Sequence, residues 1–154
     1  MKLCHYIAIL ILSFTSCKGL DIQTVCMGSL NNDAIYIKNV RIHHEGFIDI
    51  KDALASNIVF CLQQHNFKAA SYFNAPNSES EYRYFATVDL FITTTGDILN
   101  PIQNLSLYIS INEASTQVAT IQIISQTYDI RRSDDQLAIA QAIALKIDDM
   151  VQKK

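Results

Sequence analysis

The sequence predicts an α+β fold, a two-layer sandwich: a mostly antiparallel four- to five-stranded sheet with two amphipathic helices on one face, in the order β-α-β-β-β-β-α. Three observations predict it. Residues 105–111 alternate cleanly, with Leu105, Leu107, Ile109 and Ile111 against Ser106, Tyr108 and Ser110, the period of a strand with one buried and one wet face. Residues 137–151 place Leu137, Ala140, Ile143, Ala144, Ile147, Met150 and Val151 at three- and four-residue steps, which makes a single apolar stripe on a helix. A second stripe of the same period runs through Ile50, Leu54, Ile58, Cys61, Leu62 and His65. Each helix needs an apolar surface to bury against, and a sheet with one buried face serves both.

The domain is expected to start near Ala34. Residues 34–42 are rich in β-branched and aromatic side chains (Ile35, Tyr36, Ile37, Val40, Ile42) and read as a strand, which His43-His44-Glu45-Gly46 breaks. Asp49 is the candidate N-cap of the first helix, and Asp52 suits its dipole. Residues 68–73 form a short strand, followed by a turn segment over 74–80. Residues 82–93 set Ala86, Val88, Leu90 and Ile92 on one face and Phe85, Thr87, Asp89, Phe91 and Thr93 on the other. Residues 105–111 and 118–128 then make a long antiparallel hairpin, with Ala119, Ile121 and Ile123 turned inward. Ser133-Asp134-Asp135-Gln136 is a capping box, a Ser N-cap with Gln three residues on and two carboxylates beside the helix amino end. Lys153-Lys154 favours the opposite end of the dipole.

Ahead of this domain stand Met1-Lys2, an apolar run over residues 6–12, and the small residues Ser13, Thr15 and Ser16. That is the anatomy of an export signal. The run falls well short of the about 20 apolar residues that span a bilayer. An export signal ending at a cysteine, here Phe14-Thr15-Ser16-Cys17, resembles the lipobox of bacterial lipoproteins. Ser16 and Thr15 match that pattern; Phe14 stands where an aliphatic residue is usual. The resemblance implies a diacylglycerol on the Cys17 sulfur, cleavage just before it and acylation of the new amino terminus. It divides the chain into a signal peptide (1–16), a lipid-anchored tether (17–33) and a single α+β domain (34–154). Gly19, Gly28, Ser29 and Asn31-Asn32 suit a tether. Lys18 is not the Asp that retains lipoproteins in the inner membrane of enteric bacteria, which favours the outer membrane. Without lipid on Cys17 the chain would be a plain secreted protein, and the sequon Asn104-Leu105-Ser106 would suit one.

Loss of residues 1–16 removes one of the 12 Lys+Arg and none of the 15 Asp+Glu, so the formal charge moves from −3 to −4. A mildly acidic chain with no basic cluster argues against nucleic acid and against electrostatic docking on anionic lipid. The membrane contact is then the anchor alone. With Cys4 removed and Cys17 acylated, Cys26 and Cys61 remain in a compartment that permits disulfides. Either they pair, or Cys61 is a small buried hydrophobe and Cys26 lies in the lead segment.

In element order and lipid attachment, residues 34–152 resemble small envelope lipoproteins and related domains: the lipopolysaccharide-assembly lipoprotein, the amino-terminal domain of TolB, the penicillin-binding-protein activators and the curli-secretion lipoproteins. No functional motif matches residue by residue. Nor do the residues assemble a catalytic set. Adjacent His43 and His44 point to opposite sides of an extended chain and do not share a metal. Asp134-Asp135 is explained by the helix dipole, Asp148 and Asp149 face different directions, and Arg131-Arg132 reads as solvated. No phosphate loop or nucleophile elbow is present. We therefore expect no cofactor, no metal and no enzymatic activity.

Two features suit binding. One is the sheet's second face, where Tyr82, Tyr84, Phe85, Phe91, Tyr108 and Tyr128 mix with small polar residues, as at a protein contact. The other is the edge offered by residues 117–128, with few charges to block strand addition. The expected function is that of a membrane-anchored envelope lipoprotein, a non-enzymatic assembly or binding module for an envelope protein complex. The alternative is a surface-exposed lipoprotein, a ligand binder or host-facing antigen.

Overall fold

A computed structural model describes residues 19–28, 30–31, 34–97 and 102–152. The expected signal peptide (1–16), Cys17 and Lys153-Lys154 lie outside the described residues. The chain is α+β: six strands, β1 (Asp21–Cys26), β2 (Ile35–Ile42), β3 (Ala69–Ser71), β4 (Tyr84–Thr95), β5 (Ile102–Glu113) and β6 (Thr116–Ser125), with helices α1 (Lys51–Gln64) and α2 (Ser133–Gln152). They form one sheet in the order β1-β6-β5-β4-β2-β3.

The strands pair by two rules. β4, β5, β6 and β1 form an antiparallel run, because short turns join the first three. β2 pairs parallel with both β3 and β4. A parallel neighbour requires a crossover, and α1 is that crossover between β2 and β3. The sheet is therefore mixed and six-stranded, not mostly antiparallel with four to five strands.

The inward face of the sheet and both helices share one core. Val88, Leu90, Leu107, Ile109 and Ile121 are fully buried against Leu54, Ile58, Ile143 and Ile147. Ile139, outside the expected stripe, is buried with them. A bulge at Lys38 shifts the register of β2 between Ile37 and Asn39. One extra residue exchanges the faces of everything after it. Ile37 and Val40 both enter the core as a result, and Arg41 is turned to the outer face.

Four expectations are corrected here. Part of the expected tether is sheet: residues 21–26 form β1, so the ordered domain begins well before Ala34. β1 covers β6 with a register running from Asp21↔Ile124 to Cys26↔Ala119, so residues 117–128 offer no free edge. The edge strands are β1 and β3. Cys26 and Cys61 are both free: Cys26 ends β1 with its Sγ 3.2 Å from the Gly28 carbonyl, whereas Cys61 is buried in α1, which packs on β2 and β3 at the other side of the sheet. The helix starts differ too. Asp49 lies in a 3-10 turn, Glu45–Ile50, capped by His44, whose Nδ1 accepts from the Gly46 amide at 3.2 Å. At α2, the Gln136 amide donates to the Arg132 carbonyl (3.0 Å), which makes Arg132 and not Ser133 the cap. The Gln136 side chain donates instead to the Ile130 carbonyl (2.8 Å), and the Asp135 carboxylate accepts from the Asp129 amide (2.9 Å).

Candidate interaction face

Both helices occupy one side of the sheet, and among the described residues no layer covers the other side over β4, β5, β6 and β1. Strand alternation sends Asp89, Phe91, Ser106, Tyr108, Ser110 and Gln122 to that side. The registers line up Arg41, Asp89, Tyr108, Gln122 and Gln23 as one row across five strands.

Along this row the side chains are joined. Arg41 Nη2 donates to Asp89 Oδ2 at 2.6 Å, and His43 Nε2 lies 3.0 Å from Asp89 Oδ1. Burial pushes the Asp89 carboxyl up, but the hydrogen bonds and charges of Arg41 and His43 outweigh it and hold its pKa below the ordinary value. Asp89 is thus a carboxylate, and the His43 nitrogen facing it carries the proton. The His43 ring stacks on Phe91 (4.2 Å between centroids, 3° between planes), and Phe91 meets Tyr108 edge to face at 5.8 Å. Gln122 Nε2 donates to the Tyr108 hydroxyl at 2.9 Å. Phe91 and Tyr108 remain 39% and 38% exposed. The result is an aromatic platform edged by an ion pair. Both Asp89 oxygens are engaged, one by Arg41 and the other by His43.

The six aromatic residues expected on this face divide. Phe91 and Tyr108 come together on it. Tyr82 lies against Tyr36 (5.3 Å) beside Phe85, where the loop after β3 folds over the sheet. Tyr84 belongs to the core: its ring is fully buried on the helix side, and its hydroxyl accepts from the Asn31 amide at 3.2 Å. Tyr128 lies beyond β6, half-buried against the core. Arg41 and His43 were not expected in the cluster. Their proximity to Asp89 follows from the parallel β2–β4 pairing, which no local pattern announces. His43 and His44 do part company, His44 turning to its own turn; the side chain of Glu45 lies outside the described residues.

A second exposed apolar feature is a groove of about 430 Å³ between the helices, where Phe60 and Leu145 stand about half exposed beside His65. His65 Nδ1 lies 3.1 Å from Asp148 Oδ2 and ties α1 to α2. Among the described residues no group of three or more His, Cys, Asp or Glu is placed to hold a metal, and no helix is long and apolar enough to cross a membrane.

Neither a protein-family model nor a curated protein matches the chain. Solved structures do. PelC from Paraburkholderia phytofirmans, a dodecamer, matches in two crystal forms. A substituted form in space group C2 superposes with a TM-score of 0.60 at 12% identity, covering 87% of this chain and 98% of the other. The P6 form gives 0.57 at 11% identity, covering 88% and 99%. At that identity the likeness is one of fold, and it extends over nearly all of the PelC chain. The resemblance to the lipopolysaccharide-assembly lipoprotein and to TolB-type domains rests on element order alone.

Proposed function

We propose that this protein is an envelope lipoprotein, anchored through lipid on Cys17, that acts without catalysis as an assembly module in a multi-subunit envelope complex. The outer membrane is its favoured site. The observation that carries the proposal is the uncovered sheet face, with Phe91 and Tyr108 held half exposed by Arg41, His43, Asp89 and Gln122. Exposed aromatic rings held by neighbouring side chains are what a protein contact favours. The export signal ending at Cys17 supports the location. The fold likeness to PelC, which was solved as a dodecamer, supports a role in assembly, copies of this chain included among the partners.

The test is the size of the complex extracted from membranes in mild detergent. The native protein is expected to run as a multi-subunit species, and a Phe91→Ala/Tyr108→Ala variant, folded and lipidated, to run smaller. A native protein that is monomeric and partner-free, or a variant assembling as before, would contradict the proposal.

A further inference from the structure

The amino end of the domain is fixed much closer to Cys17 than a tether would allow. The Gly19 carbonyl accepts a hydrogen bond from Ser125 Oγ at 3.3 Å, and β1 begins at Asp21, opposite Ile124. Gly19 is therefore pinned to the corner of the sheet where β1 starts and β6 ends. From Cys17 to Gly19 the chain advances two residues, which reach at most about 7 Å when fully extended. The headgroup layer of one leaflet is about 5–8 Å thick, half the difference between a hydrocarbon core of about 30 Å and a total of about 40–45 Å. An acylated Cys17 has its chains in the hydrocarbon and its backbone at the headgroup boundary, and that leaves no slack.

Taking Cys17 to be the lipid anchor, as proposed above, we infer that the domain lies directly on the phospholipid headgroups, with this corner down and the sheet standing up from the bilayer. The surface that would meet the headgroups suits that position. Around Gly19 a cleft is lined by Leu20, Gln126 and Thr127, and the last two also line a second cleft with Gln103 and Arg131. Ile102, half exposed at the start of β5, lies at the same end of the sheet. Charges there have both signs: Asp21 begins β1, Asp97 follows β4 and Arg132 precedes α2, while Arg131 is held by Asp129 at 2.9 Å. Contact is thus imposed by the short anchor and does not depend on anionic lipid. At about 3.3 Å per residue, the ten residues of β6 carry the β5–β6 turn at Ala114-Ser115 about 30 Å from the bilayer. The outer sheet face then looks sideways along the membrane, where neighbouring subunits anchored in the same leaflet would meet it.

The experiment uses the processed protein, with Cys26→Ser to leave only buried Cys61, in vesicles of phosphatidylethanolamine and phosphatidylglycerol carrying headgroup spin labels. Gln126→Cys and Ser115→Cys variants each receive a fluorophore. The probe at position 126 is expected to be quenched several-fold more than that at 115, whatever the phosphatidylglycerol fraction. A flexible Gly/Ser insert of about a dozen residues before Gly19, spanning about 20 Å, is expected to reduce the contrast. Intact mass separates the two ways of failing. Acylated protein with equal quenching at both positions overturns the orientation alone; protein with no acyl mass on its amino-terminal peptide overturns the anchor and the orientation together.

Discussion

Tyr84 shows what a single position decides. It sits two residues before Ala86 on an alternating strand, so it shares a face with Ala86, Val88 and Leu90 and is buried with them. That parity was legible in the sequence. The cluster of aromatic residues around it, Tyr82 and Phe85 included, obscured the signal. Tyr84→Ala should cost about 3–5 kcal/mol in urea denaturation, since it empties a ring-sized volume in the core. Tyr84→Phe keeps the ring and removes the hydroxyl that accepts from the Asn31 amide, and should cost far less, about 1 kcal/mol. Phe91→Ala, on the open face, should stay below about 1 kcal/mol. Asp89 makes a different prediction. Its pKa is depressed in the folded protein, so the carboxylate contributes stability above the ordinary value of 3.8, and that share is lost as pH falls through 3.8 toward the lower folded value. Asp89→Asn should flatten this acid limb of the stability curve. An unaltered acid limb would mean that Arg41 and His43 do not hold Asp89 in solution.

Among the elements, those with strong local periodicity were legible. The stripes of α1 and α2, His65 excepted, and the inward set of the β4–β6 meander reached the core or pack against it. Ile143, buried between α2 and the sheet, should cost about 2–5 kcal/mol when cut to Ala; a change under about 0.5 kcal/mol would put that face of α2 in solvent. What local pattern did not carry was pairing. β1 has the sequence DIQTVC and exposes nearly every side chain, so it shows no apolar alternation, and what makes it a strand is the ladder it forms with β6. The parallel pairing of β2 with β4 depends equally on a partner far along the chain. Hydrogen exchange tests β1 directly. Amides of β6 paired with β1 should be protected to the same extent as those paired with β5. Exchange on that side as fast as in an exposed edge strand would restore the tether and remove the basis for a close approach to the membrane.

For the whole molecule, the fold was legible to the level of α+β with helices on one face, and that arrangement alone leaves the opposite face bare. The composition of that face was only half legible, because Phe91 and Tyr108 follow from alternation whereas Arg41 and His43 depend on a bulge and a parallel neighbour. Under the proposed function, assembly through the sheet and its position on the bilayer both depend on where the chain is held, and the atom on which that turns is the Cys17 sulfur. The most direct measurement is therefore the membrane fractionation of Cys17→Ser beside the native protein, expressed in a bacterium with intact lipoprotein processing. The account predicts that the native protein sediments with membranes and that the variant retains its signal segment, migrating as the longer precursor without acyl modification. Native protein found soluble at the mobility of the variant, or a variant with unchanged partition and mobility, would contradict it.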